Sequence, residues 1–340
     1  MRGRLPALVA SLAALLTLDN GPAHAQAFFK GKTVRIVVGS TAGGGLDTYA
    51  RTVGRHLGKH VPGSPIVIVE NMPGAGSLIA ANHLYRVAKP DGLTVGHFLG
   101  SLLLGQSLGQ PGIEFDARKF EFIGAANKED VVCALTRASG ITTVEKWAAA
   151  RTPVKIGGIA PGAPPDNAPR MLKATLGLPI QLVSGYKGTA EVRLAAEAGE
   201  VAGGCWSWDS MRATWRKALE AGEAVAVLQL TGKPLADLPG VPLAISLAKT
   251  DEARRFIQVA HASSAYARPF AVPAGVPKER VQILRKAFRA TLEDRDFLAE
   301  TEKTKLTVDP VSGEDLHRMV TDLFSLEPAL LARLRQILYN

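Results

Sequence analysis

The chain has 340 residues, 46% of them hydrophobic, with 40 Lys and Arg against 31 Asp and Glu and a formal net charge of +9. That length suits two domains with separate cores. The positive charges are scattered, with no arginine block and no aromatic-basic motif, which argues against nucleic acid and favours small anions or anionic surfaces. Two cysteines, Cys133 and Cys205, exclude a disulfide-built scaffold and permit one bond in an oxidising compartment.

Residues 1–25 begin with Arg2 and Arg4, run apolar from Leu5 to Leu18 and end in Ala23-His24-Ala25. A basic start, an apolar run too short to cross a bilayer and a small-x-small site are the layout of a secretory signal peptide. An N-terminal membrane anchor is the alternative. The mature chain is expected to start near Gln26 and to be soluble in a bacterial periplasm.

Strand and helix signals then alternate. "TVRIVV" (33–38) is a β-branched run, after which Leu46, Tyr49, Ala50, Val53 and Leu57 recur at helical spacing. "PIVIVE" (65–70) is a second strand, "SLIAANHLYRVA" a helix stopped by Pro90, and "LTVGHFLG" (93–100) a third strand. This is the sequence form of a parallel sheet with crossover helices. A new cycle follows 111–130. "VVCALTR", "VKIGGIA", "IQLVSGY", "EVAGGCW" and "AVAVLQL" read as strands with helices between them. Thr142 and Glu145 form a capping box for "VEKWAAAR". The segment "YARPFAVPAGVP" leads into terminal helices. The expected fold is α/β with two similar Rossmann-like lobes. Lobe 1 would hold 26–127 plus 266–340, and lobe 2 would hold 128–265.

The glycine loop "GSTAGGGLD" (39–47) joins a strand to a helix. Backbone N–H groups at a helix N-terminus suit an anion, and glycine lets a ligand approach closely. Gly45 and Leu46 stand where a Walker loop needs Lys and Ser or Thr, and no G-x-G-x-x-G is present. Carboxylate binding needs only amides and hydroxyls, and Ser40 and Thr41 offer the latter. A tight turn required only for packing is the alternative. A second loop, "NMPGAGS" (71–77), stands at the same end of the neighbouring strand. Ligands of open α/β sheets bind at that carboxyl end.

The blocks "FKGKTVRIVVGSTAGGGLDTYAR", "VIVENMPGAGSLIAANHLYRVAKPDGLTVG" and "VSGYKGTAEVRLAAEAGEV" resemble the Bug, or TctC-like, extracytoplasmic receptors of tripartite tricarboxylate transporters. The similarity covers nearly the whole mature chain. It implies a type II periplasmic-binding-protein fold, two lobes and a hinge. It also implies capture of a small organic carboxylate for membrane permease subunits, with no cofactor. Carried over by position, the first-lobe site is Ser40, Thr41, Gly43, Gly44 and Gly45, with Gly74, Ala75, Gly76 and Ser77 opposite. Gly100 and Ser101 match a further ligand loop. Asp47 matches an acidic residue that favours the helix dipole.

The second lobe departs from the family pattern. "IAPGAPPDN" places Ile159, Pro161 and Ala163 where hydroxyl or amide donors are usual, and only Gly162 and Asp166 are familiar in type. In "CWSWDSM", Trp206 stands where an Asp is often found, and Asp209 fits only with an insertion. Trp206 and Trp208 would stack on an apolar body, or one is core and the other covers the surface. Tyr186 and Lys187 offer a polar and a cationic contact, or merely shape a turn. His56 and His60 are read as a solvated helix end and not as a metal site. Cys133 and Cys205 are expected as free buried thiols, because close cross-strand pairing strains a disulfide. A monomeric, non-catalytic receptor is the first reading. An exported enzyme and a sensory ligand-presenting protein on the same fold are the alternatives.

Overall fold

The computed structural model describes residues 28–339, so the leader lies outside the described residues. The β-branched run forms β1 (Thr33–Val38), with Val34, Ile36, Val37 and Val38 buried. A parallel strand covered on both faces reads as such a continuous apolar run. In α1 (Gly45–His60) the five apolar residues at helical spacing all lie on the buried face. The chain continues through β2 (Ile66–Asn71), α2 (Leu78–Arg86), β3 (Thr94–His97), α3 (Ser101–Ser107) and β4 (Glu121–Ala125).

It then crosses to a second sheet. That sheet is built from β5 (Val131–Thr136), β6 (Val154–Gly157), β7 (Ile180–Val183), β8 (Gly203–Ser207) and β9 (Ala224–Leu230). The helices between them are α4 (Val144–Ala148), α5 (Pro164–Leu176), α6 (Thr189–Glu197), α7 (Trp208–Thr214) and α8 (Arg216–Glu220). The N-cap of α4 is Thr143, whose hydroxyl accepts from the Lys146 N–H at 3.3 Å. The expected box at Thr142 is therefore one residue early, and the Thr142 hydroxyl accepts from Lys146 Nζ instead. After α9 (Ala244–Leu247) and α10 (Asp251–Ala262) the chain returns as β10 (Phe270–Val272). It closes with α11 (Lys278–Leu292), α12 (Arg295–Thr304), β11 (Val311–Ser312), α13 (Gly313–Leu323) and α14 (Pro328–Tyr339).

The sheet orders are β11-β4-β10-β3-β1-β2 and β7-β6-β8-β5-β9. Each sheet repeats one plan. Three parallel strands lie in the order second, first, third, followed by one antiparallel strand and a further strand, to which the first sheet adds β11 at its edge. The antiparallel members, β10 and β5, are the strands that begin where the chain has just crossed from the other sheet. The chain passes between sheets twice, at 126–130 and within 231–269. This is a type II periplasmic-binding-protein fold, two Rossmann-like lobes on a hinge.

Two further expectations are corrected. Cys133 and Cys205 are directly opposite in the β5–β8 ladder, with Cα atoms 4.0 Å apart, and they form a disulfide. Closely spaced antiparallel pairs bring side chains nearest, and here the sulfurs meet in the buried core of the second sheet. His56 and His60 are not a solvated helix end. His56 Nε2 lies 2.8 Å from Glu300 Oε2 and His60 Nε2 lies 3.1 Å from Asp294 Oδ2, which ties α1 to α12.

Candidate functional site

Both glycine loops leave the carboxyl ends of parallel strands, at the edge facing the second lobe. Much of their glycine content serves packing. The Gly39 N–H donates to His97 O at 2.9 Å, and Ser77 Oγ donates to Gly39 O at 2.8 Å. A Cβ on Gly39 would collide with Ser77. His97 itself is buried, and burial, aided by the Arg268 charge, pushes its pKa down to about 3, so the ring is neutral. In the second loop, Ala75, Gly76 and Ser77 all have positive φ. For alanine and serine that is a strained conformation, held by the surrounding contacts.

Asp47 organises the first loop. Its carboxylate accepts from Gly43 N (2.9 Å), Arg51 Nε (3.0 Å) and Asn71 Nδ2 (2.8 Å). Asn71 Nδ2 also donates to Ser40 O at 2.9 Å. Burial works to raise the Asp47 pKa, but these donors outweigh it and the net direction is down. Asp47 is thus the tether of the loop. The Gly45 and Leu46 amides, in the first turn of α1, find no acceptor among the described residues. They carry the positive end of a 16-residue helix.

In the second lobe Asp166 holds an equivalent position, in the first turn of α5. It accepts from Ile159 N and Ser184 Oγ, both at 2.5 Å. Pro164 and Pro165 open this helix, so its first two positions supply no N–H. The lobes touch through small residues. A Cβ on Gly76 would come within 3.2 Å of Ala163, one on Gly44 within 3.4 Å of Thr189 Oγ1, and one on Gly45 would fall on the Ser210 side chain. At Gly45 a side chain is excluded because the Ser210 side chain of the other lobe fills the space, whereas the contact at Gly44 is ordinary.

Between the lobes lies a small cavity of about 30 Å³, lined by Ser40, Gly76, Ile159, Lys187, Trp206 and Arg268, with Glu129 and Ser210 beside them. A second, mostly apolar chamber adjoins it at Glu129 and Pro164, and Ser101 lines that one. The structure therefore brings Ser40, Gly76, Lys187 and Trp206 together on one cavity. Thr41 abuts Gly188, and Gly43 is engaged by Asp47. Gly74, Ala75 and Ser77 shape the second loop. Gly162 packs against Gln110 and Tyr339, and Ala163 against Gly76. Tyr186 Oη donates to Glu200 Oε1 at 2.6 Å, away from the cavity.

Trp206 and Trp208 separate. Trp206 stacks on Trp215 with ring centroids 5.6 Å apart and lines the cavity. Trp208, the first residue of α7, turns away and donates from Nε1 to Asp237 Oδ2 at 2.8 Å. Asp209 is already committed. It accepts from Tyr49 Oη (3.2 Å), Asn127 Nδ2 (3.1 Å), Arg212 Nη2 (2.6 Å) and Thr307 Oγ1 (2.7 Å). It braces the two lobes and the first crossing. The sequence reading did not single out Arg268 or Glu129. Their signal is a charged residue just ahead of each exchange strand, in "KEDVVC" and "ARPFAV".

A cavity enclosed between two lobes of repeated topology, with strand-end loops pointing into it, defines a two-lobed solute-binding protein. The family model for "Tripartite tricarboxylate transporter family receptor" matches residues 50–335. The chain belongs to that family, whose members are solute-binding receptors. A UPF0065 protein of Bordetella bronchiseptica is 31% identical over 150 residues, 44% of each chain. The alignments span less than half the length of the curated relatives they match. The periplasmic binding protein BugD has the same fold, with a TM-score of 0.72 at 21% identity, covering 90% of this chain and 97% of that one. So does the R. palustris protein Rpa4515 with adipate, with a TM-score of 0.73 at 21% identity and the same coverage.

Proposed function

We propose that this protein is a periplasmic receptor that closes its lobes over a small organic carboxylate and delivers it to the permease subunits of a tripartite transporter. The observation that carries this reading is the cavity itself. It sits at the positive end of α1, bordered by Ser40 and Gly76 on one side and Trp206 on the other. Adipate bound to a relative of the same fold supports the ligand class. The lobes are divided at 26–127 plus 266–340 and 128–265, the leader is a cleaved signal peptide, and the receptor is monomeric and non-catalytic. Thermal unfolding with citrate, adipate, hexanoate and benzoate at millimolar concentration tests it, since a ligand of the folded state raises apparent stability by about 2.7 kcal/mol at 100 times Kd. At least one acid is expected to raise Tm, and none of those that bind is expected to be turned over. No shift with any of the four would overturn the reading.

A further inference from the structure

Glu129 and Arg268 occupy matching places in the two lobes. Each stands two residues before the antiparallel exchange strand of its sheet, Glu129 before β5 and Arg268 before β10. They meet where the two crossings meet. Arg268 Nη2 donates to Glu129 Oε1 at 3.1 Å and to Ser210 Oγ at 2.7 Å, and the Glu129 N–H donates to Ser264 O at 3.0 Å. The side chains are only 5% and 4% exposed. Yet Arg268 Nε and Nη1 are buried with no acceptor among the described residues. Arginine carries five N–H donors and keeps its charge. Leaving Nε and Nη1 without acceptors in the interior is costly, and a carboxylate is their natural partner.

The surrounding charges limit how much anion fits. Arg268 and the exposed rim residue Lys187 are cationic, and Glu129, although burial pushes its carboxyl pKa up, is ion-paired with Arg268. Asp47 is answered by Arg51 behind the loop. The cavity therefore balances one negative charge. The adjoining chamber is mostly apolar, walled by Leu104, Met171 and Leu334, with Ser101, Asn167 and His261 as its polar lining and Glu129 at its mouth. A second carboxylate there would meet the acidic Glu129 and a mostly apolar wall with few polar groups, a poor exchange for water.

Building on the carboxylate reading above, we infer that Arg268 holds the ligand's carboxylate through Nε and Nη1. We further infer that the ligand is a monocarboxylate whose apolar body passes Glu129 into the adjoining chamber.

Hexanoate, hexanamide and adipate test this by calorimetry. Hexanamide removes the charge of the head, and adipate adds a carboxylate at the far end. The wild type is expected to bind hexanoate at least about tenfold more tightly than either. In the doubly substituted Arg268→Gln, Glu129→Gln protein, the hexanoate preference over hexanamide should collapse to within about threefold. A merely structural role for Arg268 would not change that ratio. Arg268→Lys should keep the preference at lower affinity. The adipate comparison needs no variant and stands even if the double variant does not fold. Adipate binding as tightly as hexanoate, or an unchanged ratio in the double variant, overturns the inference while the carboxylate reading survives. Binding of neither hexanoate nor adipate overturns this inference, and the carboxylate reading falls with it only if citrate and benzoate also fail to bind.

Discussion

After β1, Asp47 reaches back from the first turn of α1 to the Gly43 N–H at 2.9 Å; after β6, Asp166 reaches back from the first turn of α5 to the Ile159 N–H at 2.5 Å. The next strand supplies a second donor in each case, Asn71 at the end of β2 and Ser184 just after β7. The two loops are copies of one device. Their electrostatics differ. Burial would raise both carboxyl pKa values. At Asp47 the Arg51 guanidinium and two further donors win, so its pKa falls; at Asp166 burial wins and its pKa rises. The first lobe thus keeps a firmly ionised tether and a helix end with unpaired amides. The second offers prolines, Ile159 and Trp206. One lobe presents donors suited to a negative charge, and the other an apolar surface.

The sharpest way to separate the lobes is reduction. The disulfide closes a span of 72 residues and lies wholly in the second sheet. Reducing it should cost about 2–4 kcal/mol. In hydrogen exchange, β5 and β8 amides should lose protection while β1 to β3 keep theirs. Equal loss in both sheets would break the comparison.

Next come the glycines where the lobes meet. Gly45→Val would place atoms on Ser210, whereas Gly44→Val meets only ordinary contact with Thr189. Overpacking of about 1–3 kcal/mol corresponds to a roughly 5- to 150-fold loss of affinity. Calorimetry with hexanoate should show that loss for Gly45→Val and a smaller one for Gly44→Val, with native circular dichroism in both.

The paired aspartates should titrate with opposite signs. Because the folded pKa of Asp47 is lowered, its contribution is complete above the ordinary value of 3.8 and fades as pH falls below it. Asp47→Asn should therefore destabilise by about 1–2 kcal/mol at pH 7 and by less at pH 3. Because the folded pKa of Asp166 is raised, its stabilisation is complete below 3.8 and is lost as pH rises through the folded value. Asp166→Asn should cost under about 1 kcal/mol at pH 7 and remove that downward slope. Urea unfolding from pH 3 to 7 reads both, and parallel slopes would contradict the assignment.

The smallest effect divides the tryptophans. Trp208→Phe loses one hydrogen bond to a half-exposed Asp237, worth about 0.5–1 kcal/mol of stability, and should leave hexanoate affinity unchanged. Trp206→Phe alters the cavity wall and should weaken binding. The reverse pattern would mean that the second lobe presents its other face to the ligand.

Strands β1 to β3 and β5 to β9 were legible as β-branched, apolar runs with glycine and proline punctuating their ends, whereas β4, β10 and β11, short segments between turns and terminal helices, were not. The same loops made Ser40 and Gly76 legible. Arg268 and Glu129 were not, since they are 139 residues apart and meet only because the exchange strands cross. The bracing role of Asp209 was not legible for the same reason: its partners are Tyr49, Asn127, Arg212 and Thr307, most of them distant in the chain. Trp208 shares the spacing of Trp206 along a strand. But β8 ends at Ser207 and α7 begins, so the spacing no longer implies a shared face. The disulfide needed the β5–β8 register, which no local pattern encodes.

Asp209 has a consequence for how such a receptor is tuned. Its four donors come from the first lobe, the second lobe and the strand of chain between them, so swinging the lobes apart must disturb the set. It should therefore bias the resting angle toward closure before any ligand arrives, and Asp209→Asn should shift the lobes toward the open form in small-angle scattering. A ligand that binds only the closed form is penalised by the fraction of time the protein spends open. That penalty does not depend on which ligand is bound. Altering Asp209 should rescale every affinity by one common factor and leave the order of preference among acids untouched. Evolution can thus adjust how avidly this protein scavenges without changing what it scavenges.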